Sequence, residues 1–351
     1  MQRLILDAGV VDRPRTRWLV KYDGVVIGFS SWGGDELNNH RMFYLIINEQ
    51  FQPAQRLIDN FIEKITSCLP SLKLTIIILC TAMGNDLTRK TAIDRGFRKI
   101  TGFNSNPSQH NLIKVSYKGY ITHSTWDEFR TNITKAVDLS LPDRMPTYDE
   151  FVYTGAVLSS KSVRGVVKLP LFDMETLFSP TVFLCAGRKA VIIPIKKPYV
   201  ERLLAEPIHQ LSLLPSNEAL LHVEKAYFKS ARNSKLFKRS DLLLFYVSGK
   251  NGGQEIIGHG RVTSSCIMDV ASAILKLKRQ GALEEKELSD IADNNGNVHA
   301  ITFDNFVLFD KPVSYEYLKR NHMISGANLV TAERITSKTL KNIIDEGCLY
   351  E

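Results

Sequence analysis

No apolar run in the 351 residues reaches eighteen, and "TIIILC" at 75–80 falls far short of a bilayer's thickness. The opening "MQRLILDAGVVDRPR" has neither the apolar core nor the small-residue cleavage site of a secretory signal. Cysteine is scarce. Cys68, Cys80, Cys185, Cys266 and Cys348 are scattered, odd in number and form no CxxC, which excludes a disulfide framework and reads as reduced thiols. These three absences lead us to expect a cytoplasmic chain with no membrane partner. The eight histidines make no HxxxH, HExxH or His/Cys cluster, so no metal site is expected. There is no P-loop, no Rossmann glycine fingerprint and no GxSxG around Ser264-Ser265-Cys266. Low-complexity stretches and internal repeats are also missing.

What is present suits a globular protein of two or three domains, since the chain exceeds the length at which one core stops growing. A formal charge of +8 and a pI near 9.1 favour anionic partners. One stretch concentrates that charge. "YFKSARNSKLFKRSDLLLFYVSG" at 227–249 places Lys229, Arg232, Lys235, Lys238 and Arg239 just before a strand. It reads either as a solvated face that protects an edge strand or as a basic lip beside a pocket.

Along the chain, "RWLVKYDGVVIGFSSW" reads as a hairpin turning at Asp-Gly, and "RMFYLIIN" as a strand. "PAQRLIDNFIEKITSCL" places Leu57, Ile58, Phe61, Ile62 and Ile65 on one helical face. "KLTIIILC" suits a strand buried on both sides, and "NDLTRKTAIDRGF" a helix closed by Gly96. This order makes residues 1–103 an α/β layer. Residues 104–186 read as a connector with a helix and strands. From 187 onward, many short strands with brief helices suggest a small β-barrel, giving an α+β chain overall. Gly258 and Gly260 suit bulges or a close backbone approach, and "VASAILKLKRQGALEEKELSDIA" reads as helical.

The piece order of residues 15–103, ending in "DRGF", resembles the GNAT acyltransferase core. That resemblance implies acyl-CoA, acetyl-CoA above all, with its pyrophosphate on the segment carrying Phe51, Gln52, Gln55 and Arg56, at a helix N-terminus. The chain has no glycine between Gly34 and Gly84, and Ala92 stands where that family often has a general-acid tyrosine. Residues 187–345 resemble the PUA-like superfamily, in particular its ASCH and EVE branches. "IPIKKPYVERLLAEP", "KLFKRSDLLLFYVSG" with Asp241, "IIGHGRV" and "FDKPVSYEYLKRNHMISG" carry that likeness. It implies RNA or a modified base held between barrel and helices. Ala205, Pro207, Gln210 and Ser212 occupy the four positions of the ASCH Gly-x-Lys-x-x-Glu-x-Arg signature, so its hydrolytic chemistry is not implied.

The nucleic-acid candidates are therefore Lys196, Lys197, Lys229, Arg232, Lys235, Lys238, Tyr246 and Ser248. Tyr227, Phe228 and Phe237 are read either as stacking rings or as core, Trp32 as cover for the hairpin, and His259 as structural. Two functions stand. One is recognition of RNA or a modified base beside a degenerate GNAT-like half that needs no cofactor. The other is an acyl-CoA-dependent N-acyltransferase that the barrel delivers to an RNA-linked amine, as in a toxin or defence protein. A protein partner fits either, and the missing glycines and Ala92 favour the first.

Overall fold

A computed structural model describes residues 16–22, 24–35, 40–51, 54–67, 69, 74–99, 109–136, 139–159, 166–204, 219, 223–232, 234–249, 253–324 and 329–348. Its contacts divide the chain into two units. The first comprises residues 1–144 and 156–183, and the second residues 145–155 and 184–351. Both mix strands and helices, as the α+β reading expects.

The first unit starts with strands β1 (Thr16–Tyr22), β2 (Val25–Asp35) and β3 (His40–Ile47) in an antiparallel meander. Helix α1 (Ala54–Ser67) crosses over to β4 (Leu74–Ala82), which pairs parallel to β3; a parallel pair requires such a crossover. Ile58, Ile62 and Ile65 of α1 are buried in the core with Leu57 and Phe61 packed against it, so the apolar stripe faces as expected. Helix α2 (Asp86–Asp94), β5 (Arg98–Lys99) and β6 (Gln109–Tyr117) follow, in the sheet order β1-β2-β3-β4-β6-β5. Beyond them lie β7 (Tyr120–Ile121), α3 (Trp126–Ala136), the hairpin β8 (Ala156–Ser159) and β9 (Val166–Leu169), α4 (Leu171–Phe178) and β10 (Val182–Phe183).

Residues 104–186, read as a connector, thus contribute to both units. Strand β6 lies along the whole of β4, from Leu74 opposite Tyr117 to Ala82 opposite Gln109. Lys114 on β6 is 1% exposed, and its ammonium donates to the Arg95 carbonyl, to Thr176 O at 2.7 Å and to Ser179 Oγ at 2.9 Å. It thereby ties the end of α2 to the end of α4. Gly96 has φ +90° there, and a Cβ would lie 2.4 Å from the Thr176 carbonyl and 2.9 Å from Lys114 Nζ.

The second unit orders its strands β12-β15-β14-β13-β11-β16. These are β11 (Ala190–Lys196), β12 (Lys225–Ser230), β13 (Leu242–Ser248), β14 (Glu255–Asp269), β15 (Asn297–Ser314) and β16 (Glu333–Ile335). Its helices are α5 (Lys197–Leu203), α6 (Val270–Leu277), α7 (Glu285–Ile291), α8 (Tyr315–Arg320) and α9 (Ser337–Gly347). The ladder of β14 with β15 shifts register three times, which bends both strands. Gly258 and Gly260 sit in this stretch. A Cβ would lie 2.3 Å from Val307 O at the first and 2.7 Å from the Phe303 ring at the second, so close approach is the reason for both glycines.

The buried Asp241 accepts from the Tyr148 hydroxyl at 2.5 Å and from Lys238 N at 3.0 Å, which fastens residues 145–155 to this unit. Burial pushes its carboxyl up. The stretch 270–292 is not one helix. The chain bridges at Gly281 to Ala226 before α7 begins, and the Phe228 ring lies 2.4 Å from where a Cβ would stand, so only glycine fits there.

Candidate functional site

The break at Gly281 makes one wall of a cleft of about 190 Å³ in the second unit. Pro194, Ile195 and Lys196 from the end of β11, with Tyr199 and Leu203 of α5, form one side. Ala226, Tyr227 and Phe228 of β12 line the floor, and Ala282, Leu283, Glu287 and Ile291 close the other side. Lys196 is exposed at the rim, where its charge helps hold the Glu287 carboxyl below its usual range. The largest cause of that shift is the Glu284 N–H, which donates to Glu287 Oε2 at 2.9 Å.

The cleft's own polar groups are largely engaged. Tyr199 donates to Glu287 Oε1 at 2.9 Å, Tyr227 to Pro194 O at 2.8 Å, and Arg202 reaches Glu287 Oε2 at 3.4 Å. Burial raises the phenol pKa of Tyr199 and Tyr227, so both remain neutral hydroxyls. Chemically, the cleft offers aromatic surface, an ionised carboxylate already bonded, and one exposed ammonium.

The expected site residues divide. Lys196 and Lys197 are exposed, and Lys196 belongs to the cleft. Ser248 stands opposite Lys196 across the parallel β11–β13 pair, with its hydroxyl 3.5 Å from Ile195 O. Tyr246, expected to bind, is instead a core residue. It is 4% exposed on a strand flanked by β11 and β14, and its ring packs 6.4 Å from that of Tyr315. Phe237 and Phe228 are likewise core rings. Lys229 is half-buried, its ammonium donates to Ser230 O at 2.9 Å and to the Arg232 carbonyl, and burial lowers its pKa. Arg232, Lys235, Lys238 and Arg239 are exposed.

His259 is fully buried, with its pKa taken down to about 3 by burial and by Arg188. Among the described residues no group of three His, Cys, Asp or Glu is placed to hold a metal. Ala205, Pro207, Gln210 and Ser212 lie outside the described residues, as does Gln52.

At the head of α1 in the first unit, Phe51 packs on the core and Arg56 is half-buried and not free. The Gln55 amide donates to Asp59 at 3.0 Å and to Thr91 Oγ1 at 2.8 Å. The pairing of β3 with β4 ends at Tyr44 and Cys80. Just past it, the Asn85 amide donates to Ile47 O at 2.8 Å. The Glu49 carboxylate takes Leu87 N and Thr88 N at the start of α2, both at 2.8 Å, as an internal helix cap. Ala92 is fully buried.

Tyr199, Glu287 and Leu283 escaped the sequence reading. The signal that could have found them was Gly281, a breaker inside an apparently continuous helix.

No protein-family model and no curated protein matches the chain. Among solved structures it is similar to an ASCH protein from Zymomonas mobilis, at 13% identity and a TM-score of 0.36, over 47% of this chain and 99% of that one. It is also similar to a probable acetyltransferase, at 23% identity and a TM-score of 0.23, over 28% of this chain and 59% of that one. A spermidine N-acetyltransferase chimera from Vibrio cholerae matches at 18% identity and a TM-score of 0.23, over 30% and 68%. At such scores these likenesses carry no weight for function.

Proposed function

We propose that the chain recognises single-stranded nucleic acid, RNA in the first instance, by admitting one base to the cleft of the second unit. The meeting of an aromatic lining with the exposed ammonium of Lys196 in one cleft supports this reading. Every base has a π-face, and stacking contributes roughly 1–3 kcal/mol per base. A phosphate beside that base would find Lys196 at the rim, with the exposed Lys197 next to it in the chain. Because the hydroxyls of Tyr199 and Tyr227 are committed within the protein, recognition rests on stacking and shape and tolerates different bases.

Titration with nucleoside monophosphates and the parent nucleosides tests this. The monophosphates should bind more tightly, and the margin should shrink in Lys196→Gln. Tyr199→Ala, with its fold checked by circular dichroism, should weaken both ligands about five- to a hundred-fold. Absence of binding at millimolar ligand, or native affinity in both variants, overturns the reading.

A further inference from the structure

From Lys225 to Ser240 the chain carries six Lys and Arg residues and no Asp or Glu. The second unit as a whole is nearly balanced, with 23 Lys and Arg against 21 Asp and Glu, a formal +2. The stretch is therefore a local concentration of charge. It also has a direction. Residues 226–228 line the cleft, and the loop then runs to the start of β13 at Leu242. In the parallel pair of β11 and β13, Ala190 lies opposite Leu242 and Lys196 opposite Ser248. The loop thus begins beside the cleft and ends at the far end of a seven-residue strand, which spans about 20 Å.

The loop is anchored rather than loose. Phe237 is 4% exposed and packs its ring against His299, and the Lys238 N–H donates to the buried Asp241. The Ser240 N–H donates to Val262 O at 2.9 Å, and the Arg334 guanidinium holds the Leu236 carbonyl. On this fixed frame Arg232, Lys235 and Lys238 stay exposed, with no hydrogen-bond or ion-pair partner for their side chains among the described residues. An anchored loop that holds cations outward at intervals from an aromatic cleft suits a chain of phosphates.

We infer that Arg232, Lys235 and Lys238 form a track for the sugar–phosphate backbone, so that the partner is a strand several nucleotides long and not a free nucleotide. The inference rests on the cleft reading for its starting point. Its occupant is a single-stranded polyanion, since a base must leave the stack to enter the cleft. Sites of this kind cover about 4–16 nucleotides.

The test compares a dinucleotide with a dodecamer of the same RNA, using the full chain and the double substitution Lys235→Glu with Lys238→Glu. Both side chains are exposed, so the fold should survive; Lys235→Gln with Lys238→Gln serves as the milder pair. The native chain should bind the dodecamer at least about tenfold more tightly than the dinucleotide, and the double variant should lose that margin. Two lost phosphate contacts should lower the log–log salt slope for the dodecamer by about 1.4, while dinucleotide binding keeps its native affinity. The track is overturned if length brings no gain, if the variants bind the dodecamer as the native chain does, or if polyglutamate competes as well as RNA. Dodecamer binding that depends on Lys235 and Lys238, with no dinucleotide binding at all, overturns the cleft instead and leaves the track standing.

Discussion

Lys114 in the first unit and Lys196 in the second are both strand lysines, and they are used in opposite ways. Lys114 is 1% exposed and donates to acceptors at Arg95, Thr176 and Ser179. Lys196 is exposed at the rim of a cleft, and its side chain makes no hydrogen bond or ion pair among the described residues. The same contrast runs through the neighbouring polar groups. At the head of α1 and the start of α2, Gln55, Asn85 and Glu49 are engaged by the chain itself. Around the cleft Tyr199, Tyr227 and Glu287 are engaged as well, and it is Lys196 that stays exposed with no side-chain hydrogen bond or ion pair among the described residues. Net charge would have pointed the other way. The first unit holds 22 Lys and Arg against 16 Asp and Glu, a formal +6, and the second only +2. Where the cations are held, and whether they are already satisfied, says more about a binding site than how many there are.

Replacing each lysine by methionine gives the largest expected contrast. Lys114→Met empties a buried position, leaves three part-buried acceptors without this donor and should lower stability by about 3–5 kcal/mol in chemical unfolding. Lys196→Met should stay within about 0.5 kcal/mol and lose phosphate affinity instead. Equal stabilities for the two variants would erase the distinction.

The tyrosines sharpen the same contrast inside the second unit. Tyr246→Ala empties a core position on a central strand and should cost about 3–5 kcal/mol, with Tyr246→Phe nearly silent. Tyr199→Ala should cost far less stability and much more affinity. If Tyr246→Ala instead folds normally and fails to bind, the ring belongs to the site after all.

Among the described residues two histidines are fully buried, His259 and His299, and both lie in the second unit. Burial first, then Arg188 and Lys229 respectively, bring their pKa values down from 6.5 to about 3 and about 4. Below pH 6.5 the unfolded chain takes up protons that the folded chain refuses. Stability is therefore full above about pH 6.5 and falls as the pH drops towards 4 and then 3. For His299 the loss is on the order of 3 kcal/mol. Unfolding followed from pH 7 to 4 should show this slope, and His299→Gln should flatten it; an unchanged slope would falsify the assignment.

The smallest effect is expected from acetyl-CoA. A ligand that binds only the folded chain raises its melting temperature, and with Gln55 and Glu49 already engaged we expect no measurable shift at millimolar cofactor. A clear shift that disappears in Arg56→Glu would restore the acyltransferase reading and make the first unit the active one.

Much of the local structure was legible in the sequence. The apolar stripe of α1, the doubly buried β4, the role of Gly96 and the close approach at Gly258 and Gly260 follow from side-chain period and from the steric limits of a Cβ. These depend on residues a few positions apart, so a one-dimensional pattern records them. The candidate site does not. Tyr227 meets Pro194 across 33 positions and Tyr199 meets Glu287 across 88. The sequence offers Tyr246 as a nucleic-acid candidate, yet its burial depends on β11 and β14 flanking its strand.

By itself, then, the sequence determined many of the helices and strands, that the chain is α+β, and that cations crowd residues 229–239. Only the tertiary structure decided that β6 completes the first sheet, that Lys229 turns inward, and that Gly281 opens a cleft beside Lys196. The reason is physical. Strand register and burial are settled by partners far along the chain, and whether a polar side chain is satisfied or available depends on which of those partners the fold brings within hydrogen-bond reach.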